Sequence, residues 1–289
     1  MTAPVAARPT PAAPSGAAPA PAPGAPAPSR IAAAFARSRA EGRTALCPFL
    51  TAGYPDLATT EATVLALAEA GADVFEIGVP FSDPLADGTT IQRTSQGALA
   101  NGTRLADCFA LVGRLRGRGV AVPIVLMGYV NPMLQYGLDR AAAEAAAVGV
   151  DGFIVPDLPT EESDDLLAAC RAHGRDLVFL VAPTSTDDRL RAVAERASGF
   201  VYCVSLTGVT GARADLDAGL PGYLARVRAV TDLPLAVGFG ISTAEHVRQV
   251  GAHADGAVVA SALINHLDGF SPAAQPAAAA AFLRGLRGE

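Results

Sequence analysis

Eight short apolar runs, separated by segments of helical spacing, restrict this chain to very few folds. The runs are rich in Val, Ile, Leu and Phe and fall at Leu46–Leu50, Val74–Val79, Pro123–Tyr129, Gly152–Val155, Leu177–Val181, Phe200–Val204, Leu235–Phe239 and Ala257–Leu263. Between them the spacing predicts helices over Asp56–Ala70, Thr103–Gly117, Leu138–Ala147, Thr160–His173, Thr186–Ala197, Leu220–Val230 and Thr243–Val250, with Ser271–Leu286 closing the chain. Thr160 with Ser163 and Asp164, and the tetrapeptide Ser242–Glu245, read as helix starts. Buried strands joined by crossover helices form a parallel sheet. Eight such units in about 250 residues match a closed barrel. The expected fold is α/β, a single (β/α)8 TIM barrel with an extra N-terminal helix over Arg30–Arg43. An open doubly wound sheet is the alternative, but no GxGxxG opens the first βα turn.

The first 29 residues hold nine of the 22 prolines and are otherwise mostly Ala, Gly, Ser and Thr, so they carry no apolar periodicity to bury. Residues 1–29 are expected to be a disordered Pro/Ala-rich arm, and prolines interrupt any secretory-signal core there. Residues 30–289 are expected to be the barrel domain. No run approaches the ~18 apolar residues of a membrane span. The four cysteines, Cys47, Cys108, Cys170 and Cys203, stand 61, 62 and 33 residues apart with no CxxC pair, which suits a reducing cytoplasm and not a zinc site. A net charge of −6 without a basic cluster argues against nucleic acid and anionic membranes as partners.

All 22 basic residues are arginine. Without lysine there is no Schiff base, so lysine aldolases and covalently held pyridoxal phosphate are excluded, as is a Walker P-loop.

In a barrel, function sits in the loops after the strand C-termini. The long ones are Phe81–Gly102 and Leu206–Gly219, both candidate lids. Strand seven ends in Gly238-Phe239-Gly240-Ile241-Ser242 and strand eight in Ala260-Ser261, where glycines before a helix let backbone N–H groups approach an anion. That places a phosphorylated substrate on Gly240 and Ser261, with Gly211 of the LTGVTG loop beside them; tight βα turns are the plainer alternative. Glu76 stands among Val74, Phe75, Ile77 and Val79, where desolvation raises a carboxyl pKa and lets it both donate and accept protons. The competing reading is a barrel-layer acid paired with an interior Arg or Tyr. Asp83 and Asp87 read as ordinary turn residues. His173, His246, His253 and His266 lie in or beside helices, away from the strand ends. Tyr202 and Tyr129 each point either into the barrel or outward.

FEIGVPFSDPLADG followed by TIQ, the LTGVTG loop and the VGFGIS turn together resemble the tryptophan synthase alpha subunit family, over essentially all of residues 30–289. The resemblance implies a lyase that cleaves indole-3-glycerol phosphate to indole and glyceraldehyde 3-phosphate by a cofactor-independent, metal-free retro-aldol reaction. It implies Glu76 as general acid and base and Asp87 as the carboxylate that receives the indole N–H, reversing the plain reading of Asp87. Tyr202 corresponds to a tyrosine near the glycerol chain, and Phe49, Met127, Tyr129 and Phe239 to the indole pocket. Gly211, Gly240 and Ser261 correspond to phosphate-binding positions, and Thr210 to a lid threonine that contacts the catalytic aspartate. The implied partner is a pyridoxal-phosphate-dependent beta subunit in an alpha2beta2 tetramer, docked near Asn131–Tyr136 and the second loop and taking indole directly. A stand-alone lyase, a non-catalytic allosteric barrel and another phosphate-binding barrel such as an isomerase are the alternatives. Two positions depart from the family: Thr89 where many relatives have proline, and Ala260 where glycine is frequent.

Overall fold

The structure is a computed structural model that describes residues 29–205, 219–238 and 240–288. Thr210, Gly211 and Phe239 of the expected site lie outside the described residues. Eight parallel strands close a barrel in chain order: β1 (Ala45–Thr51), β2 (Phe75–Gly78), β3 (Ile124–Met127), β4 (Gly152–Ile154), β5 (Asp176–Val181), β6 (Val201–Val204), β7 (Leu235–Gly238) and β8 (Gly256–Val259). Around them run α1 (Arg30–Ala40), α2 (Leu57–Glu69), α3 (Thr89–Ala100), α4 (Leu105–Gly117), α5 (Val130–Tyr136), α6 (Leu138–Val148), α7 (Asp164–Ala172), α8 (Asp187–Arg196), α9 (Leu220–Arg228), α10 (Ala244–Gly251), α11 (Ser261–Leu267) and α12 (Gln275–Arg287). Among the described residues no helix is long and apolar enough to cross a membrane.

Strand alternation divides the apolar residues into two cores. Phe75, Ile77, Leu126, Phe153 and Val237 face outward and pack with the helices. Cys47, Val74, Val125, Ile154, Val178, Tyr202 and Val258 face inward. Helix α1 plugs the lower end of this inner core with Ile31, Ala34 and Phe35. The Phe35 ring meets Phe200 at 5.5 Å, and it fits because Gly256 has no Cβ, which would stand 2.8 Å from that ring.

The same end is held by a repeated polar device. Just before β2, β4, β6 and β8, the side chains of Asp73, Asp151, Ser198 and Asp255 accept the backbone N–H of Leu46, Ile124, Leu177 and Leu235 on the preceding strand, at 2.9, 2.8, 3.0 and 2.8 Å. Those N–H groups would otherwise be unpaired strand starts. Arginines cover the acids: Arg43 and Arg287 on Asp73, Arg116 on Asp151, Arg39 and Arg228 on Asp255. Burial pushes the Asp73 carboxyl up, but hydrogen bonds from Arg43, Leu46 N–H and Arg287 outweigh it and hold it below its usual range.

Several element boundaries differ from the sequence expectation. The loop expected over 81–102 contains α3, whose buried residues are Thr94, Ser95 and Ala98, so it has no apolar stripe to announce it. Helix α5 was hidden by Pro132 in its first turn, where the missing N–H costs nothing. The eighth run overshoots: β8 stops at Val259, Ala260 breaks the chain at φ −113 and ψ −88, and Leu263 and Ile264 are core residues of α11. Thr243, not Ser242, caps α10, its hydroxyl accepting His246 N–H at 3.2 Å.

Candidate active site

The upper end of the barrel opens into a pocket lined by Phe49, Glu76, Asp87, Ile91, Met127, Tyr202, Gly240, Ser261 and Asn265, among others. Glu76 sits in register with Phe49 on β1 and Val125 on β3, and alternation turns it inward. It is 1% exposed, and neither carboxylate oxygen has a hydrogen-bond partner among the described residues. The competing reading, an acid paired with an interior Arg or Tyr, finds no such hydrogen bond. Burial, followed by the charge of Asp87, pushes its pKa up to about 8. An uncompensated ionised carboxylate there would be very costly, so the group is neutral at pH 7 and available as a proton donor.

Asp87 reaches the same pocket from the turn between β2 and α3. Two tight backbone bonds shape that turn, Leu85 N–H to Asp83 at 2.9 Å and Asp87 N–H to Pro84 at 3.1 Å. From β3's end, the Tyr129 hydroxyl donates to Asp87 Oδ2 at 3.1 Å and accepts from Ala86 N–H at 2.9 Å. From α3, Gln92 donates to the Asp87 carbonyl at 2.8 Å, and Ser95 Oγ accepts Phe81 N–H at 2.9 Å. Phe81 stacks on Tyr129 at 5.1 Å. Burial raises Asp87 to about 6, with the Tyr129 hydrogen bond opposing. Near neutrality the two carboxyls therefore differ: Glu76 holds its proton, and Asp87 is largely ionised. Tyr129 lines an adjoining hollow that shares Phe49, Asp87, Ile91 and Met127 with the main pocket.

Tyr202 faces inward from β6. Burial, then the Glu76 charge, pushes its phenol well above the usual range, so it stays a neutral hydroxyl. The ring fits because position 238 is glycine: a Cβ there would lie 2.1 Å from the Tyr202 hydroxyl oxygen. Gly78 plays the same part for Phe49, whose Cζ would be 2.5 Å from an added Cβ. Gly78, Ile91 and Asn265 carry no role of their own in the sequence analysis, and Gly238 figures there only as part of an anion-binding turn. Gly78 and Gly238 stood inside quoted motifs, but what each accommodates lies on another strand.

At the opposite wall, Gly240 adopts φ +82 with open space where a Cβ would be, and Ser261 begins α11. Ala260 has a negative φ of −113, so this position does not take the left-handed conformation that favours glycine. No basic side chain is among the described lining residues, so an anion bound here would be met by backbone N–H groups and hydroxyls. Asp83 remains a turn residue on the loop. Among the described residues no cluster of His, Cys, Asp and Glu could hold a metal ion.

The family model for the tryptophan synthase alpha chain matches residues 35–283. The alpha chain of Roseiflexus castenholzii is 61% identical over 260 residues, covering 90% of this chain and 100% of that one. That of Chloroflexus aurantiacus is 55% identical over 258 residues, covering 89% and 97%. Among solved structures, Mycobacterium tuberculosis tryptophan synthase superposes with a TM-score of 0.83 at 41% identity, covering 90% of this chain and 99% of that chain. The tryptophan synthase subunit alpha of Legionella pneumophila gives 0.83 at 36% identity, covering 91% and 98%.

Proposed function

The chain belongs to the tryptophan synthase alpha chain family, a lyase that cleaves indole-3-glycerol phosphate, and from that premise we propose which residues carry out the reaction. The observation that bears most weight is Glu76, a buried carboxyl without a hydrogen-bond partner among the described residues, facing Asp87 across one pocket. Protonated Glu76 delivers its proton to C3 of the indole ring. The positive charge that develops on the ring nitrogen is met by ionised Asp87, fixed beforehand by Tyr129. The Glu76 carboxylate then takes the proton of the glycerol hydroxyl adjacent to the ring. As that C–O becomes a carbonyl, the C–C bond breaks and its electrons return to the ring. Indole and glyceraldehyde 3-phosphate leave, and Glu76 ends protonated as it began.

Phe49 and Met127 hold the ring, with Phe239 outside the described residues completing that wall. Tyr202 hydrogen-bonds the glycerol chain. Gly240 and Ser261 take the phosphate, joined by Gly211 and with Thr210 over Asp87, both outside the described residues. Residues 30–289 form the catalytic domain, residues 1–29 lie outside it, and the enzyme is cytoplasmic.

A beta subunit receives the indole, in an alpha2beta2 tetramer. The mouth of the pocket supports this: Leu85 on the β2–α3 turn is 93% exposed and Leu134 on α5 is 54% exposed, both large apolar side chains on the same side of the barrel. The test is release of indole from indole-3-glycerol phosphate, with and without beta subunit, by wild type, Glu76→Gln and Asp87→Asn. Each substitution should lower turnover ~10²-fold or more. Unchanged cleavage by Glu76→Gln would reject Glu76 as the proton-transfer group.

A further inference from the structure

Helix α3 begins two residues after Asp87, and α11 begins at Ser261, so the two ends of the proposed substrate site hang on two different helices. Those helices are tied together away from the pocket. Arg93 on α3 forms an ion pair with Asp268, the residue capping the C-terminus of α11. It also donates to the Tyr54 hydroxyl at 2.7 Å, and that hydroxyl donates to Asp268 at 3.0 Å. The guanidinium lies 5.6 Å from the centre of the Tyr54 ring. The ring lies against α3 at Gly97, where a Cβ would stand 2.9 Å from Tyr54 Cδ2. One turn nearer the site, Thr90 Oγ1 donates to Asn265 Oδ1 at 3.2 Å, and Asn265 lines the pocket.

We infer that Arg93 is a positioning residue, which with Tyr54 and Asp268 locks α3 to α11 and so fixes the span between Asp87 and the phosphate end of the site. The inference rests on the proposed roles of Asp87 and Ser261. A ligand that occupies only one end is indifferent to the span between the ends. A ligand that bridges both must find them at the right separation, or lose affinity to the ordering of two mobile walls. The Arg93 side chain is 46% exposed and that of Asp268 30%, so the tie adds little to folding stability and can be cut without unfolding the barrel.

The test separates the bridging ligand from its pieces. Dissociation constants are measured by calorimetry for indole, for inorganic phosphate and for an uncleavable 3-indolylalkyl phosphate long enough to join them. Arg93→Gln should weaken the bridging phosphate about fivefold, the factor equivalent to the ~1 kcal/mol upper range of an exposed pair, and leave each piece within about twofold. Asp268→Asn should reproduce this, and the double variant should be no worse than either single one. Equal weakening of all three ligands marks a merely structural residue and overturns the inference, as does no weakening of any. Asp87→Asn, run in parallel, should weaken indole on its own. If it does not, the reading of Asp87 fails and takes this inference with it; if it does while Arg93→Gln stays unselective, only the lock is rejected.

Discussion

Replacing Glu76 by Gln should cost the enzyme its activity and at the same time relieve the fold as pH rises. The native carboxyl has its pKa pushed up to about 8 against 4.5 for the ordinary side chain. For a raised acid, the native state keeps its proton where the unfolded chain has already released it. No penalty exists below about pH 4.5; above it, stability falls with each pH unit until about pH 8 and is level beyond. From 4.5 to pH 7, at ~1.36 kcal/mol per unit, the loss is about 3 kcal/mol. This figure depends on the unfolded value far more than on the native one, since any native pKa of 7 or above returns nearly the same number. Glutamine carries its own cost of burying an amide, but that cost does not vary with pH. The measurable quantity is therefore the difference in unfolding free energy between variant and wild type, taken from urea titrations followed by circular dichroism at pH 4 and pH 7. It should shift in favour of Glu76→Gln by about 3 kcal/mol over that interval. Parallel pH dependences for the two proteins would refute the argument that Glu76 is buried, unpaired and protonated.

The same pair governs the rate. kcat/KM should be bell-shaped, falling below about pH 6 as Asp87 takes up a proton and above about pH 8 as Glu76 loses one; a flat profile between pH 5 and 9 would dissociate the two carboxyls from the chemistry. Gly238→Ala should drive the Tyr202 ring and hydroxyl from their place, because the new Cβ would lie 2.1 Å from the hydroxyl oxygen and 2.5 Å from two ring carbons; a loss of roughly 10-fold or more in kcat/KM is expected. At the other end of the barrel, Asp73→Asn should destabilise by roughly 3 kcal/mol, since Arg43 and Arg287 lose their carboxylate. Because the native Asp73 pKa is depressed, the charge-dependent part of this contribution is fully present above the ordinary value of 3.8 and fades as pH falls through the lower native one, so the gap between variant and wild type should narrow in strong acid.

The barrel was readable because parallel strands buried on both faces leave unmistakable apolar runs, and a carboxylate such as Glu76 stands out within one. What could not be read were α3, α5 and α11 as separate helices. Thr94, Ser95 and Ala98 hide α3, and Pro132 hides α5. The α11 apolar residues merged with those of β8 because the break at Ala260 is a matter of dihedral angle and not of composition.

The amino-acid sequence alone determined the chemistry open to this protein: a lysine-free chain with one acid embedded in an apolar strand, able to transfer protons but not to form an imine. The tertiary structure decided the rest. Asp87 is a turn residue until the Tyr129 hydroxyl, 42 positions away, donates to it. Gly238 is a strand end until Tyr202 fills the space its missing side chain leaves. Glu76 is an acid of ordinary strength until barrel closure buries it with no hydrogen-bond partner among the described residues. Residue type is local and legible, whereas burial, hydrogen bonding and empty volume belong to groups brought together from distant parts of the chain, and these last three set the pKa values on which the reaction depends.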